Sequence, residues 1–262
     1  MSTHPESGSP APAPRPSLTP SFVPGRRETS RVMTSVPSPP PHRGWFSRGY
    51  VPHWDHPGMI QSLTFRLHDS LPSEVVRRWK AELGLPLGPP ARMPALAGAS
   101  ASLPTKGPEA KHEMDGREIE LRQRIARHED EGHGECWLGQ PRIGGLVEAA
   151  LLHFDGERYR LLAWCVMPNH VHVLVETELG FPLPDLLHGW KSYSANEANR
   201  ILGRRGVFWQ REYVDRYLRN QEHFTAAIRY IEGNPSRAGL VKFPAEWPFS
   251  SARYRDLGAP AS

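Results

Sequence analysis

Two runs rich in β-forming residues, 158–167 and 171–176, are separated only by Pro168, Asn169 and His170. So short a connection joins antiparallel neighbours, because a parallel crossover needs about a dozen residues or more. Residues 171–176 form one uninterrupted β-forming run. The chain is therefore predicted to contain an antiparallel sheet that includes this strand pair.

The remaining elements are predicted from hydrophobic periodicity and from helix end signals. Strict alternation predicts a strand at Ser62–His68, and residues 207–218 form an aromatic-rich run that is expected to be irregular or extended. Helices are expected at 73–83, 117–131, 141–154, 183–202 and 221–232. The last of these is expected to stop at Gly233, Asn234 and Pro235. An antiparallel sheet with helices packed on one face follows, which is an α+β fold.

Proline marks the parts of the chain that are not expected to fold. Eleven of the 28 prolines lie in residues 1–43, which contain almost no large apolar side chains. Such a segment buries too little surface to offset its ordering entropy, so a disordered N-terminal tail is expected. The Gly- and Pro-rich stretch 84–116 is interpreted as a flexible insertion. The prediction is one domain over 44–255, followed by a short C-terminal tail at 256–262.

The formal net charge of +4 is unevenly distributed along the chain. Residues 187–242 carry +5, the segment 1–43 carries +3, and residues 44–186 carry −4. A basic C-terminal third favours a polyanionic partner such as nucleic acid, although a charge run is also typical of a solvated face.

Other function classes are disfavoured by features that the sequence lacks. No run reaches about 18 consecutive apolar residues, and the first residues contain no secretory hydrophobic region. Cys136 and Cys165 are too few for a disulfide framework or a four-cysteine zinc site. A cytoplasmic protein with no membrane partner is expected.

The segment WCVMPNHVHVLVE, residues 164–176, contains the first candidate site. Side chains two residues apart on a strand share a face, so His170 and His172 are expected to project together. Two imidazoles held in this way can bind one divalent metal ion and leave positions open for a substrate oxygen. The alternative is that both histidines simply face solvent.

A second candidate lies in the last predicted helix, where Tyr230 and Asn234 are four residues apart. That spacing places both on one helix face. Tyr230 could instead be a core aromatic residue, and Asn234 a helix C-cap before Pro235. Beside a cation that neutralises a phosphate, a tyrosine hydroxyl could attack DNA and form a covalent phosphotyrosine link.

Several stretches together closely resemble the REP-associated tyrosine transposases. They are RGYVPHWDHPG, SLTFRLHDSLP, PNHVHVLVE, GVFWQREYVDRYLRN and YIEGNPSRAGLVKFPAEWPFSSAR. That family is related to the single-tyrosine HUH transposases of insertion sequences, which act on single-stranded DNA. The resemblance covers roughly residues 49–85 and 132–253.

The resemblance implies a ferredoxin-like HUH palm and a role for each matching residue. His170 and His172 match the metal-binding pair, Asn234 matches the third ligand, and Tyr230 matches the nucleophile. The implied cofactor is Mg²⁺ or Mn²⁺. The implied partner is single-stranded or hairpin DNA, cleaved beside an imperfect hairpin to leave a 5′-phosphotyrosine and a free 3′-hydroxyl. Gly233 departs from the family pattern, which usually has a bulkier residue there.

Basic side chains near these elements are candidates for contacts with DNA phosphates. They are Lys191, Arg204, Arg205, Arg211, Arg216, Arg219 and Arg229. Trp190 and Trp209 could stack on unpaired bases, but the core interpretation is favoured for both.

The leading interpretation is a metal-dependent single-stranded DNA endonuclease and strand-transferase of the transposase type. The main alternative is a domesticated protein that binds hairpin DNA without cutting it. A replication-initiator nuclease shares the chemistry, but the NP and WPFSS segments of this chain favour the transposase-like branch. A hydrolase of small phosphates would need more metal ligands. The sequence leaves monomer and dimer open.

Overall fold

The structure is a computed structural model that describes residues 44–47, 52–55, 58–87, 116–218 and 220–255. The predicted tail at 1–43, most of the predicted insertion at 84–116, and the C-terminal tail at 256–262 lie outside the described residues.

The described residues form six strands and five α-helices. Strands β1 (Gly44–Ser47) and β2 (Pro52–Asp55) pair as a separate antiparallel hairpin. The main sheet contains β3 (Ile60–Arg66), β4 (Tyr159–Val166), β5 (His170–Thr177) and β6 (Val214–Tyr217). The helices are α1 (Ser73–Glu82), α2 (Gly116–Asp130), α3 (Pro141–Leu152), α4 (Leu183–Ile201) and α5 (Gln221–Arg237). Short 3₁₀ turns lie at 137–139, 244–246 and 251–254.

The main sheet is antiparallel throughout, with the strand order β4-β5-β3-β6. The predicted α+β class and antiparallel sheet are therefore confirmed. β5 is an inner strand and is apolar at alternate positions, with buried valines at Val171, Val173 and Val175. Because side chains alternate across a sheet, the two histidines of β5 lie on the face opposite these valines.

The larger core lies beneath α3 and α4, on the face of the sheet that carries Val171, Val173 and Val175, here called the valine face. Leu151 of α3 and Leu186 of α4 belong there to the same packed cluster as Val173. Trp190 and Trp209 are each only 5% exposed, so the favoured core interpretation is confirmed for both. Both indole nitrogens donate hydrogen bonds inside this core, which satisfies the one polar group that each ring buries.

A smaller core lies on the other face of the sheet, beneath α5. Cys165, Met167 and Leu174 pack there against Ile231. The sequence predicted helices on one face, which holds for α3 and α4, whereas α5 covers the opposite face. The reason is that β4 and β5 present apolar side chains on both of their faces, so the apolar stripe of α5 also finds a surface to bury.

Helix α5 does not stop at Gly233, Asn234 and Pro235, as the sequence predicted, but continues to Arg237. Pro235 has no N–H to donate to the carbonyl one turn earlier, which costs helix stability. The last turn persists because Ile231, Asn234 and Pro235 are buried there. Asn234 is thus an interior helix residue and not a C-cap.

Among the described residues, no helix combines the length and the apolar character needed to cross a lipid bilayer.

The continued helix predicts that Gly233→Ala stabilises the protein. No neighbouring atom lies within 4 Å of the added Cβ. Alanine in a helix interior is favoured over glycine by about 1 kcal/mol. We expect a rise in melting temperature of about 2–4 °C for that change in a chain of this size.

Gly239→Ala is the matched control, because its added Cβ also meets nothing but the backbone φ is +71°. A non-glycine residue is strained there by about 1–2 kcal/mol, so this variant should melt lower than the wild type. Equal melting temperatures for the two variants would contradict the helical conformation at position 233.

Candidate active site

The candidate site lies on the face of the sheet that carries His170 and His172, here called the histidine face. Their Nε2 atoms are 3.0 Å apart, and the two side chains are 1% and 3% exposed. In the register of the sheet, Arg66 of β3 lies opposite His170, and Thr64 lies opposite His172. Residues directly opposite one another in an antiparallel pair share a face, so β3 contributes side chains to the same site.

The outer nitrogen of each imidazole is held by a neighbouring oxygen. His170 Nδ1 is 2.7 Å from Asn169 Oδ1, and His172 Nδ1 is 2.9 Å from Thr64 Oγ1. The Asn169 oxygen can only accept, so His170 Nδ1 carries the proton and its Nε2 carries a lone pair. The Thr64 hydroxyl can either accept a hydrogen bond from His172 Nδ1 or donate one to it, so this contact orients the ring in either neutral tautomer. Outer-shell partners of this kind set the tautomer and orientation of metal-binding histidines.

Both imidazoles are in the neutral form that binds metals. Burial lowers the pKa of His170 well below its ordinary value, and the neighbouring His172 and Arg66 lower it further. Burial also lowers the pKa of His172 to about 3, with contributions from Arg237 and Arg66. Neither histidine therefore has to lose a proton at neutral pH before it can bind a cation.

The two histidines fit a divalent cation. Two ligand atoms about 2.1 Å from one ion, at a right angle, are about 3.0 Å apart. The observed Nε2–Nε2 separation of 3.0 Å has that value. Without a metal, His172 can donate an Nε2 proton to His170 Nε2; when Thr64 accepts from His172 Nδ1 instead, both Nε2 lone pairs are free to bind a cation.

Tyr230 of α5 lies beside this pair. Its ring centroid is 5.5 Å from that of His172, in an edge-on arrangement, and the guanidinium of Arg237 lies 4.3 Å from the centre of the tyrosine ring. Burial raises the pKa of Tyr230, while Arg237 opposes the shift and Asp130 adds to it. The phenol is therefore protonated at neutral pH, and it must lose its proton during any attack.

Asn234 is fully buried one helical turn beyond Tyr230. Its Oδ1 accepts a hydrogen bond from Arg237, and its Nδ2 has no partner among the described residues. The structure thus brings Tyr230 and the two histidines together, while the Asn234 oxygen is engaged by Arg237. The role of Asn234 as a metal ligand stays a prediction.

Four side chains of the site were not singled out from the sequence: Thr64, Arg66, Asn169 and Arg237. Asn169 directly precedes His170, so adjacency was an available signal. Arg237 follows Asn234 by three residues, but the helix was expected to end before it. Thr64 and Arg66 alternate along β3, and only the sheet register places them opposite the histidines.

Arg66 also forms a buried ion pair with Glu129 of α2, with 2.7 Å between Nε and Oε1. Burial raises the pKa of Glu129 to about 7, and Arg66 opposes that shift. This contact fixes the end of α2 against the histidine face.

The predicted DNA-contact residues occupy several different environments. Arg205, Arg211, Arg216 and Arg229 are exposed. Arg216 lies opposite Ser62 in the register of β3 and β6, which places it on the histidine face. Arg219 lies outside the described residues.

Two of the predicted DNA contacts are engaged within the protein. The Lys191 ammonium donates to the carbonyls of Gln210 and Arg211, at 2.5 and 3.1 Å, and so joins α4 to the segment before β6. Arg204 is partly buried and donates to the carbonyl of Val207 at 3.3 Å. Their contact with DNA stays a prediction, as it does for the exposed arginines.

Comparison with known proteins gives one family match and two curated relatives. Residues 151–234 match the family model described as "Transposase IS200 like". A REP-associated tyrosine transposase of Escherichia coli (strain K12) is 27% identical over 113 residues, which cover 43% of this chain and 66% of that protein. A putative REP-associated tyrosine transposase of Haemophilus influenzae is 26% identical over 117 residues, which cover 38% of this chain and 62% of that protein.

Among solved structures, this chain is similar to a REP-associated tyrosine transposase bound to a REP hairpin. The match covers 79% of this chain and 86% of that chain. The sequence identity is 16% and the TM-score is 0.42. The matched family segment contains His170, His172, Tyr230 and Asn234. The chain spans just under two thirds of the length of the curated relatives. Over the matched region, the resemblance of this chain to the REP-associated tyrosine transposases is confirmed.

Proposed function

We propose that this protein is a metal-dependent nuclease and strand-transferase that cuts single-stranded DNA beside a hairpin. The observation that carries the proposal is the convergence of two neutral imidazole nitrogens, 3.0 Å apart, beside the ring of Tyr230. A buried histidine pair with a purely structural role would also need partners for its outer nitrogens, so the adjacent tyrosine is the feature that favours a catalytic role. The similarity to named transposases supports the same conclusion.

In this proposal His170 and His172 hold Mg²⁺ or Mn²⁺, and Asn234 joins them as third ligand once Arg237 releases its oxygen. When bound, the cation supplies positive charge that neutralises the phosphate under attack. Two imidazole ligands favour Mn²⁺ over Mg²⁺ in affinity.

Tyr230 is the nucleophile of the proposed reaction. Its hydroxyl oxygen attacks the phosphorus atom of a phosphodiester and forms a P–O bond, while the bond from phosphorus to the 3′-oxygen breaks. The phenol proton is given up and the departing 3′-oxygen gains a proton, so the products are a 5′-phosphotyrosine and a 3′-hydroxyl. No water is consumed, and the reverse attack by a 3′-hydroxyl joins strands.

The DNA strand would follow the basic surface around the histidine face. Arg216 lies on that face by its register, and Arg237 already lies over the nucleophile. Arg205, Arg211 and Arg229 are exposed and could contact phosphates further along the strand. Such contacts position the backbone and do not read sequence.

A binding-only function is the second candidate, and one observation favours it. The Asn234 oxygen is engaged by Arg237, so the third ligand is not free as it stands. A hairpin-binding protein without cleavage would keep the basic surface and form no covalent product.

The first test compares wild type with Tyr230→Phe in Mn²⁺ and a pool of labelled single-stranded hairpins. We expect a covalent protein–DNA band on a denaturing gel for wild type and none for the variant, because only the nucleophilic oxygen is removed. Both proteins should shift the DNA on a native gel.

Tyr193→Phe is the matched control, since Tyr193 is an exposed tyrosine on α4. It should form the covalent band at the wild-type level. Cleavage by Tyr230→Phe would refute the assignment of the nucleophile. DNA binding with no covalent band in wild type would favour the binding-only function.

Arg237→Met separates the two roles of the arginine. Loss of its positive charge and release of the Asn234 oxygen should tighten Mn²⁺ binding by about tenfold. That factor corresponds to about 1.4 kcal/mol of binding free energy. Covalent-adduct formation at saturating Mn²⁺ should fall, because the charge over Tyr230 is lost. Free Mn²⁺ measured by electron paramagnetic resonance reports the affinity.

Arg229→Met, on the exposed side of the same helix, should leave Mn²⁺ affinity unchanged. Weaker Mn²⁺ binding by Arg237→Met would contradict the competition between Arg237 and the cation for Asn234.

A further inference from the structure

The loop that follows α2, residues 131–136, is folded back over the end of that helix. Three of its residues have positive φ: Gly132 at +74°, Gly134 at +89° and Cys136 at +51°. A Cβ at Gly134 would lie 3.1 Å from the Asp69 side chain, a tight contact, and the φ of +89° also favours glycine there. The Asp69 carboxylate also accepts a hydrogen bond from the Glu135 amide at 2.8 Å. The backbone path of the loop is therefore specified.

This path brings His128, Glu131 and His133 together. Each offers a ligand atom, and these atoms lie within 4.8 Å of one another. The two imidazole rings are stacked with centroids 3.9 Å apart, and His133 Nε2 lies 3.0 Å from a carboxylate oxygen of Glu131. Neither the His170–His172 pair nor Tyr230 belongs to this cluster.

His128 provides a separate indication of a ligand. Its Nε2 is buried and has no hydrogen-bond partner among the described residues. A buried nitrogen without a partner is costly, and it calls for a proton, a water molecule or a cation. Burial and the neighbouring His133 lower the pKa of His128, so the ring is in the neutral form.

We propose that His128, Glu131 and His133 form a second metal site, for Zn²⁺ or a similar first-row divalent cation. Two imidazoles and one carboxylate are a ligand set that Zn²⁺ accepts, with one position left for water. Mg²⁺ is disfavoured because it prefers oxygen ligands. Glu131 and His133 are exposed side chains on a loop, so small rotations can bring their ligand atoms to coordination distance.

The site would have a structural role that reaches the candidate active site. Asn169 Nδ2 donates to the carbonyls of His133 and Glu129, at 3.0 and 3.1 Å, while its Oδ1 holds His170 Nδ1. A cation that fixes the 131–136 loop thus fixes the support of Asn169.

The test uses the full chain, without a polyhistidine tag, that carries His170→Ala and His172→Ala. This background lacks the His170–His172 pair, so the tight Zn²⁺ binding that remains belongs to other residues. That binding is measured by competition with a chromogenic chelator. We expect His133→Ala, added to the background, to weaken that binding by more than about tenfold, since even indirect partners of metal ligands are worth that much. Glu131→Gln should weaken it as well.

His188→Ala is the control, because His188 is an exposed histidine on α4. The His188→Ala protein should bind Zn²⁺ as tightly as the background does. Zn²⁺ should raise the melting temperatures of the background and of the His188→Ala protein, but not that of the His133→Ala protein. Circular dichroism checks that the metal-free variants are folded. The site is refuted if the background binds no Zn²⁺ tightly, or if His133→Ala and Glu131→Gln bind it as the background does.

Discussion

The pairing of β3 with β5 is the constraint on which the rest of the candidate site depends. It places Thr64 opposite His172 and Arg66 opposite His170, so one strand supplies the imidazoles and its neighbour supplies part of their support. A shift of one residue would move every side chain of β3 to the other face. The buried Leu63 and Phe65 prevent that shift, because they belong to the large core on the valine face.

Helix α5 completes the arrangement from above the histidine face. Its apolar residues pack on Cys165, Met167 and Leu174, and that contact sets the height of Tyr230 over His172. The helix continues through Pro235, which brings Arg237 back over the tyrosine ring and onto the Asn234 oxygen. In the proposed reaction, the C-terminal part of α5 therefore carries the nucleophile Tyr230, the third ligand Asn234 and the positive charge of Arg237, which competes with the metal.

Much of this arrangement was predictable from the sequence, and the remainder depended on tertiary contacts. Alternation along β5 gave the shared face of His170 and His172, and helical spacing gave the common face of Tyr230 and Asn234. Thr64 and Arg237 could not be found in this way. The first depends on a register between strands more than a hundred residues apart, and the second on a helix whose burial outweighs the proline that should end it.

The central claim is that His170 and His172 hold a cation beside Tyr230, and anomalous diffraction from crystals grown with Mn²⁺ tests it most directly. A peak within about 2.3 Å of both Nε2 atoms, on the Tyr230 side of β5, is the predicted result. No peak between the two imidazoles at saturating Mn²⁺, with the pair intact, would contradict the account.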